Sequence, residues 1–356
     1  MTRITTAIAI IAAALAVAPL RAHKPVTSKY TFSEDVYPIV KEHCGGCHVN
    51  GGIAPMSLLT YEDARPWAES IRLELTSGHM PPWYGDPGAA PLREVHKLSS
   101  RDLDVVLTWV TGGTPPGPPA KVPAASARHA WPRGRPDIVL QIPTTTTLAP
   151  DKSEDTQEFV LREDNDRDRT IALADLLPGN ASIVHDAIIF ARVPGRVEPA
   201  TVFSAWLPGL SPVMPPAGLA FVWHAHEQLV ARIHFKKNWK QENRSASDRS
   251  TVGLYLTQSR QPRAIHGIAI GGADEFADRL QAVAVRVEGT AADAPIRVDA
   301  IRSDGTRLTI AGFLARAGWD QRYWFARPVD LPKGTRIEIT GATRTSVHVW
   351  LDAATM

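Results

Sequence analysis

Cys44-Gly45-Gly46-Cys47-His48 holds both cysteines of the 356-residue chain. Two thiols at this spacing can reach the two vinyl groups of one porphyrin, and an imidazole directly after the second presents a nitrogen to the iron. A disulfide or redox pair is the plainer reading of any C-x-x-C. A zinc site would need a second cysteine pair or a clear histidine pair at ligand spacing, which the motif does not have. The trailing His48 turns the reading to covalent haem c, with Cys44 and Cys47 as thioether anchors and His48 as the proximal axial ligand.

Upstream, Arg3 precedes an apolar run from Ala7 to Leu20 with the length and flanks of a secretory signal peptide. Cleavage after Ala22 is expected, which places the mature protein in the periplasm or otherwise outside the cytoplasm. The run is short for a membrane span of roughly 20 residues, and no second apolar run of spanning length follows it. The chain carries 39 basic and 37 acidic residues, and losing Arg3 and Arg21 with the leader leaves 37 of each. A neutral mature chain with no basic patch argues against nucleic acid as a partner.

Around the motif the apolar period is helical. Ser33 reads as an N-cap with Glu34 and Asp35 in the first turn, and Val36, Ile39 and Val40 lead an apolar face into Cys44. Thr60 with Asp63 opens a second helix bearing Ala64, Trp67, Ala68, Ile71 and Leu75; Pro66 interrupts it and Gly78 ends it. Ser99 or Ser100 caps a third, with Leu103, Val106, Leu107 and Val110 on one face. Three helices around a porphyrin suffice for about 80 residues, because the haem supplies much of the core. The sixth ligand is expected from Met80 in Gly78-His79-Met80-Pro81-Pro82-Trp83, where two prolines hold an extended loop and a soft thioether suits electron transfer. Met56, His79 and an open position are the alternatives.

The run CGGCHVNGGIAPMSLLTYEDARPWAESIR from Cys44 to Arg72, with GHMPPW after it, resembles exported bacterial cytochrome c proteins in which a cytochrome module precedes a β-rich region. The resemblance extends over nearly the whole chain. It implies that the Met of MPPW, here Met80, is the distal ligand, and it implies an architecture more than an activity.

Thr114-Pro115-Pro116-Gly117-Pro118-Pro119 marks a boundary, since such a run favours extended polyproline geometry and reads as a semi-rigid spacer. Beyond it the period becomes alternating. Strands are expected at 137–142, 157–161, 183–190, 229–235, 251–256, 280–287, 296–301, 336–339 and 346–351, with Asp304-Gly305 as a hairpin turn. Many short strands without intervening helices make sandwiches. The expected fold is therefore α+β and multidomain: a signal peptide over 1–22, a small all-α cytochrome c domain over 23–113, and a Pro-rich linker over 114–130. An all-β region of two sandwiches follows, over 131–256 and 257–356.

Within that region Val184-His185-Asp186 and Val230-Ala231-Arg232-Ile233-His234-Phe235 resemble, more weakly, copper type II ascorbate-dependent monooxygenases. Their first copper takes a His-His pair and a later His, and their second takes His-x-His and a Met. Here Asp186 stands in the second place of the pair, and the second half offers His266 and His348 without a His-x-His and a suitable Met. His224-Ala225-His226 is the remaining histidine constellation. Were it on a strand, its two rings would share a face, so a copper held by His185, His224, His226 and His234 is one expectation, and a loop that ligates nothing is the other.

The function these readings favour is electron transfer by an exported haem c protein, with a redox partner protein or a small electron donor or acceptor. A haem-coupled copper oxidoreductase and a ligand-binding sandwich with a redox-sensing haem are the alternatives. No nucleophile elbow, phosphate-cradling glycine loop or paired-carboxylate motif points to another chemistry.

Overall fold

The alternating runs after Arg135 form strands, because period-2 patterning puts one row of side chains into a core and the other toward solvent. The computed structural model describes residues 26–83, 85, 90–93, 96–119, 130–162, 164–270, 275–289, 294–315, 320–341 and 347–355. The expected signal peptide over 1–22 and the linker residues 120–129 lie outside them. Among the described residues the strands are β1 (Ile138–Gln141), β2 (Thr146–Leu148), β3 (Glu154–Arg162), β4 (Arg169–Leu177), β5 (Val184–Arg192), β6 (Thr201–Trp206), β7 (Leu219–Trp223), β8 (Gln228–Lys236) and β9 (Ala246–Asp248). They continue as β10 (Thr251–Leu256), β11 (Arg263–Ile270), β12 (Leu280–Gly289), β13 (Ala294–Ile301), β14 (Arg307–Ala315), β15 (Gln321–Leu331), β16 (Arg336–Thr340) and β17 (Val347–Thr355).

One eight-stranded sheet, in the order β1-β10-β4-β7-β11-β17-β12-β15, runs through the whole β region. Its first half faces a four-stranded sheet, β3-β8-β5-β6, and its second half a three-stranded sheet, β14-β13-β16. The halves are joined by β7 and β11, which pair in parallel through Leu219–Arg263, Ala220–Ala264 and Phe221–Ile265. The region is thus β-sandwich-like in both halves, with one continuous sheet where two separate sandwiches were expected. The first core gathers Ile171, Leu176, Ile189, Trp223, Phe235 and Leu254; the second gathers Val285, Val298, Ile310, Phe325 and Leu351. Strands β2, β4, β6, β7, β9, β11 and β15 have no counterpart among the expected runs. Of these, β4 and β7 are almost continuously apolar and buried rather than alternating, as strands inside a sandwich are. Trp324 of β15 belongs to the core of the first half.

The helical part comes in short pieces, and an all-α domain of the expected kind is not evident. A π-helical turn (Phe32–Val36) runs into α1 (Tyr37–His43); α2 (Tyr61–Ala64) passes through a 3₁₀ turn at Arg65–Trp67 into α3 (Ala68–Thr76); α4 is Ser100–Thr111. Pro66 is the reason for the break in the second helix, since it offers no N–H to the ladder. Thr60 and Ser99 cap as expected, accepting from Asp63 N and Asp102 N at 3.1 Å each. Ser33 does not: the helix begins two residues earlier with Thr31 as N-cap, and the Ser33 hydroxyl is buried without a partner. These pieces share a small core of Phe32, Val36, Val40, Val106 and Trp109, with the rings of Phe32 and Trp109 5.7 Å apart.

Two segments tie this part down. The Pro-rich run is docked rather than free: Pro115 O accepts from Phe32 N and Trp109 Nε1, each at 3.0 Å, and Pro116 O from Ser33 N at 3.1 Å. Proline lacks a donor but keeps its carbonyl, so it can still close such contacts. Further along, the chain after α3 crosses the second half of the β region, where Trp83 packs edge-on against Tyr323 at 5.1 Å. Leu92 pairs with Phe325, and Arg93 N donates to Trp324 O at 2.7 Å. No described helix is long and apolar enough to cross a membrane. Because Trp83 is buried in the second core, Trp83→Ala should lower the stability of that half by about 3–5 kcal/mol. The change should appear as an earlier urea transition, whereas an unchanged midpoint would mean that Trp83 merely covers the surface.

Candidate functional site

Cys44 is the C-cap of α1, and the chain takes one further turn from it. Cys44 N donates to Val40 O at 2.9 Å, and Cys44 O accepts from Cys47 N at 3.1 Å and His48 N at 2.8 Å. Both thiols and the imidazole therefore sit on a single turn. The two glycines between the cysteines are more than spacers. A Cβ on Gly45 would lie 2.8 Å from Lys41 O, and one on Gly46 would lie 2.5 Å from the Cα of Gly209 in the loop after β6. Beside that contact Cys47 Sγ lies 3.2 Å from Pro208 O. The motif turn is thus seated backbone to backbone on the first β half.

The thiols are unpaired. Burial pushes Cys44 up to about 12, with Cys47 beside it adding to the rise, and burial alone takes Cys47 to about 11. A redox C-x-x-C works through a thiolate stabilised by a helix N-terminus or a nearby cation. Here the first cysteine follows a helix C-terminus, the wrong end of the dipole for an anion. The environment therefore disfavours the redox-pair reading and leaves two protonated thiols.

His48 Nδ1 lies 3.3 Å from Met56 O. Burial holds the His48 pKa below its ordinary value, and the Met56 carbonyl offsets part of that drop. A neutral imidazole with one nitrogen on a backbone carbonyl has its tautomer set, leaving Nε2 to a metal. Met56 therefore contributes its carbonyl on the His48 side, a role the sequence does not signal because it uses no side chain. Met80 follows α3 with its N–H on Glu74 O at 3.3 Å and its side chain exposed, while Trp83 three residues on is buried. An open cleft of about 640 Å³ borders this loop, lined by Gly78, Trp83, Lys97 and Phe313 among others.

The four histidines weighed as a copper set separate into two groups. His224 and His226 occupy the turn between β7 and β8, where they pair with Asp168 and Asp164 respectively, each at 3.1 Å. His226 has φ +65°, so this His-x-His is a turn and not a strand. His234 lies near the far end of β8, about 20 Å along the strand from that turn. There His234 Nδ1 and His185 Nδ1 each lie 2.8 Å from the same oxygen, Asp186 Oδ2. Burial would raise the Asp186 carboxyl, but the hydrogen bonds from His185 and His234 overcome it and hold the group below its ordinary value. The same hydrogen bond raises His234 against the opposing effect of burial.

In the second half, His266 stands opposite Ala353 while Val349 stands opposite Ile270. His266 and His348 are both exposed and sit about 17 Å apart along their strands. The residues present therefore do not fit the two-copper pattern that the weaker resemblance implies. One histidine pair is a His-Asp, the His-x-His is elsewhere, and the second-half histidines do not converge.

No family model matches the chain, and no curated protein matches it. Among solved structures, the PBSX exported protein XepA aligns at 11% identity over 62% of this chain and 87% of its own, with a TM-score of 0.17. The Sulfolobus Turreted Icosahedral Virus structure aligns at 11% identity over 65% and 99%, with a TM-score of 0.14. The 11S allergen from Cocos nucifera aligns at 11% identity over 62% and 88%, with a TM-score of 0.13. Similarity at this level carries no argument about fold or function, and the site rests on its own geometry.

With both thiols free, their raised pKa values set a clear expectation. In the haem-free chain, alkylation by iodoacetamide near pH 8 should run at least about two hundredfold slower than that of an ordinary cysteine of pKa about 8.5, because so little thiolate is present. The rate should climb only as the pH approaches 11. Fast labelling at pH 8 would identify a poised redox thiolate instead.

Proposed function

We propose that this is an exported electron-transfer protein carrying one covalently attached haem c at Cys44, Cys47 and His48. The observation that supports this most is the single turn after α1. It holds two protonated, unpaired thiols and a neutral imidazole whose Nδ1 is occupied by the Met56 carbonyl. That donor set fits a haem: two thioether anchors and one nitrogen ligand. When bound, the haem supplies a one-electron iron couple. Cys44 and Cys47 would fix it to the chain, the Met56 carbonyl orients His48, and Met80, whose side chain is exposed, would offer its thioether to the iron.

On this reading residues 23–113 form a reduced cytochrome c domain whose short helices gain their missing core from the haem. The sandwich region then gives it a fixed seat, through Gly46 on Gly209 and Trp83 on Tyr323. A redox partner protein or small donor would meet the haem outside the cytoplasm.

The test is expression of the full chain together with a haem-attachment system. The purified polypeptide should carry one haem in mass, with the spectrum of two thioether bonds. Cys44→Ser or Cys47→Ser should abolish that spectrum, and a wild-type chain of unmodified mass would sink the proposal. Met80→Ala should remove the far-red thioether-to-iron band, open the iron to carbon monoxide and lower the reduction potential. Met56→Ala should leave the band intact, since the Met56 contact uses only backbone. An unchanged spectrum in Met80→Ala would move the sixth ligand to His79 or Met56.

A further inference from the structure

Adjacent residues on a strand point to opposite faces, so His185 and Asp186 should not both face outward from β5. A bulge changes this. Val184 pairs with Phe235 and Asp186 with His234, and His185 is the extra residue between them. Val184 and Ala187 point into the core with Phe235 and Ile233, while Ile188, Phe190 and Val230 form a small cluster on the other face. Asp186 and His234 belong to that outer face by alternation, and the bulge brings His185 onto it as well. Bulges of this kind re-aim a side chain and gather next to sites.

Three metal-binding side chains thus converge where plain pleating would allow two. One ligand atom from each of His185, Asp186 and His234 lies within 4.8 Å of the others. Donors about 2.1 Å from a single ion stand roughly 3–4 Å apart, so small side-chain rotations would close the set. Their side chains are 27%, 14% and 20% exposed, sheltered yet open to an ion from solvent. Glu154 Oε2, 3.7 Å from His234 Nε2, supplies a further carboxylate at the rim.

We propose that His185, Asp186 and His234 form a binding site for one divalent transition-metal ion, with two imidazole nitrogens and one carboxylate oxygen as ligands and open positions toward solvent. A mixed nitrogen and oxygen set suits borderline ions such as zinc(II) or iron(II), and a hard carboxylate in place of a third soft donor disfavours copper(I). The ion takes the place now held by the shared Nδ1–Asp186 hydrogen bonds; each neutral ring then carries its proton on Nε2, and only a ring that was protonated beforehand gives a proton to solvent. The site does not depend on whether residues 44–48 carry haem.

The experiment is equilibrium dialysis of the chelator-washed full chain against zinc(II), with zinc and iron counted per polypeptide. The zinc edge is then read by X-ray absorption. One zinc per chain, with nitrogen and oxygen neighbours near 2.0–2.2 Å, is the expected result. Asp186→Asn keeps the shape but removes the charge, and it should weaken binding at least tenfold; His234→Gln and His185→Gln should do the same. The double variant His224→Gln/His226→Gln should bind zinc as wild type does. A wild-type chain that retains no stoichiometric zinc would overturn the proposal. So would binding indifferent to Asp186→Asn and His185→Gln, or binding lost only in the His224/His226 double variant. Because His185 sits at a bulge and is partly exposed, its substitution tests the site even if the Asp186 variant folds poorly.

Discussion

The parallel pairing of β7 with β11 is the constraint on which the rest of the structure depends. Three residue pairs carry the backbone ladder from one half of the β region to the other. With that ladder in place, the eight-stranded sheet is one surface and its two covering sheets cannot turn independently. Parallel pairs need a crossover rather than a hairpin. The chain between Trp223 and Arg263 provides it by building β8, β9 and β10 before returning. The first core accordingly includes Val283, Ala284, Trp324 and Ala354 from the second half.

This shared surface explains how so little helix can be held in place. The helical part buries only a small apolar cluster, too little to be self-sufficient by the surface-to-volume argument. It is instead fastened at separate points of the β region. The motif turn meets Pro208 and Gly209, Asn238 Nδ2 donates to Ile53 O at 3.2 Å, and Trp83, Leu92 and Arg93 contact Tyr323, Phe325 and Trp324 of β15. The first two attachments fall on one half and the third on the other. Only a rigid relation between the halves lets all of them be satisfied together.

The histidines show how tertiary context sorts residues of the same type. His224 and His226 sit two apart in sequence yet meet separate aspartates in a turn, because His226 adopts a left-handed backbone. His185 and His234 are 49 positions apart yet share one carboxylate oxygen, because a single bulged residue shifts the β5–β8 register. Sequence proximity does not decide which imidazoles come together.

From the chain alone one could read the C-x-x-C-H motif, the capped starts at Thr60 and Ser99, the break at Pro66 and the alternating strands of a β-rich remainder. Each is a local property, set by bond geometry, backbone donors or period within a few residues. The buried strands β4 and β7 were not legible, because a strand covered on both faces loses its alternation. The joining of two sandwiches through β7 and β11 depends on which distant backbones come side by side. So do the seat of Gly46 on Gly209 and the role of the Met56 carbonyl, both made through main-chain atoms that every residue carries. The face to which His185 points was decided by one unpaired residue in a register that exists only once β5 and β8 have paired.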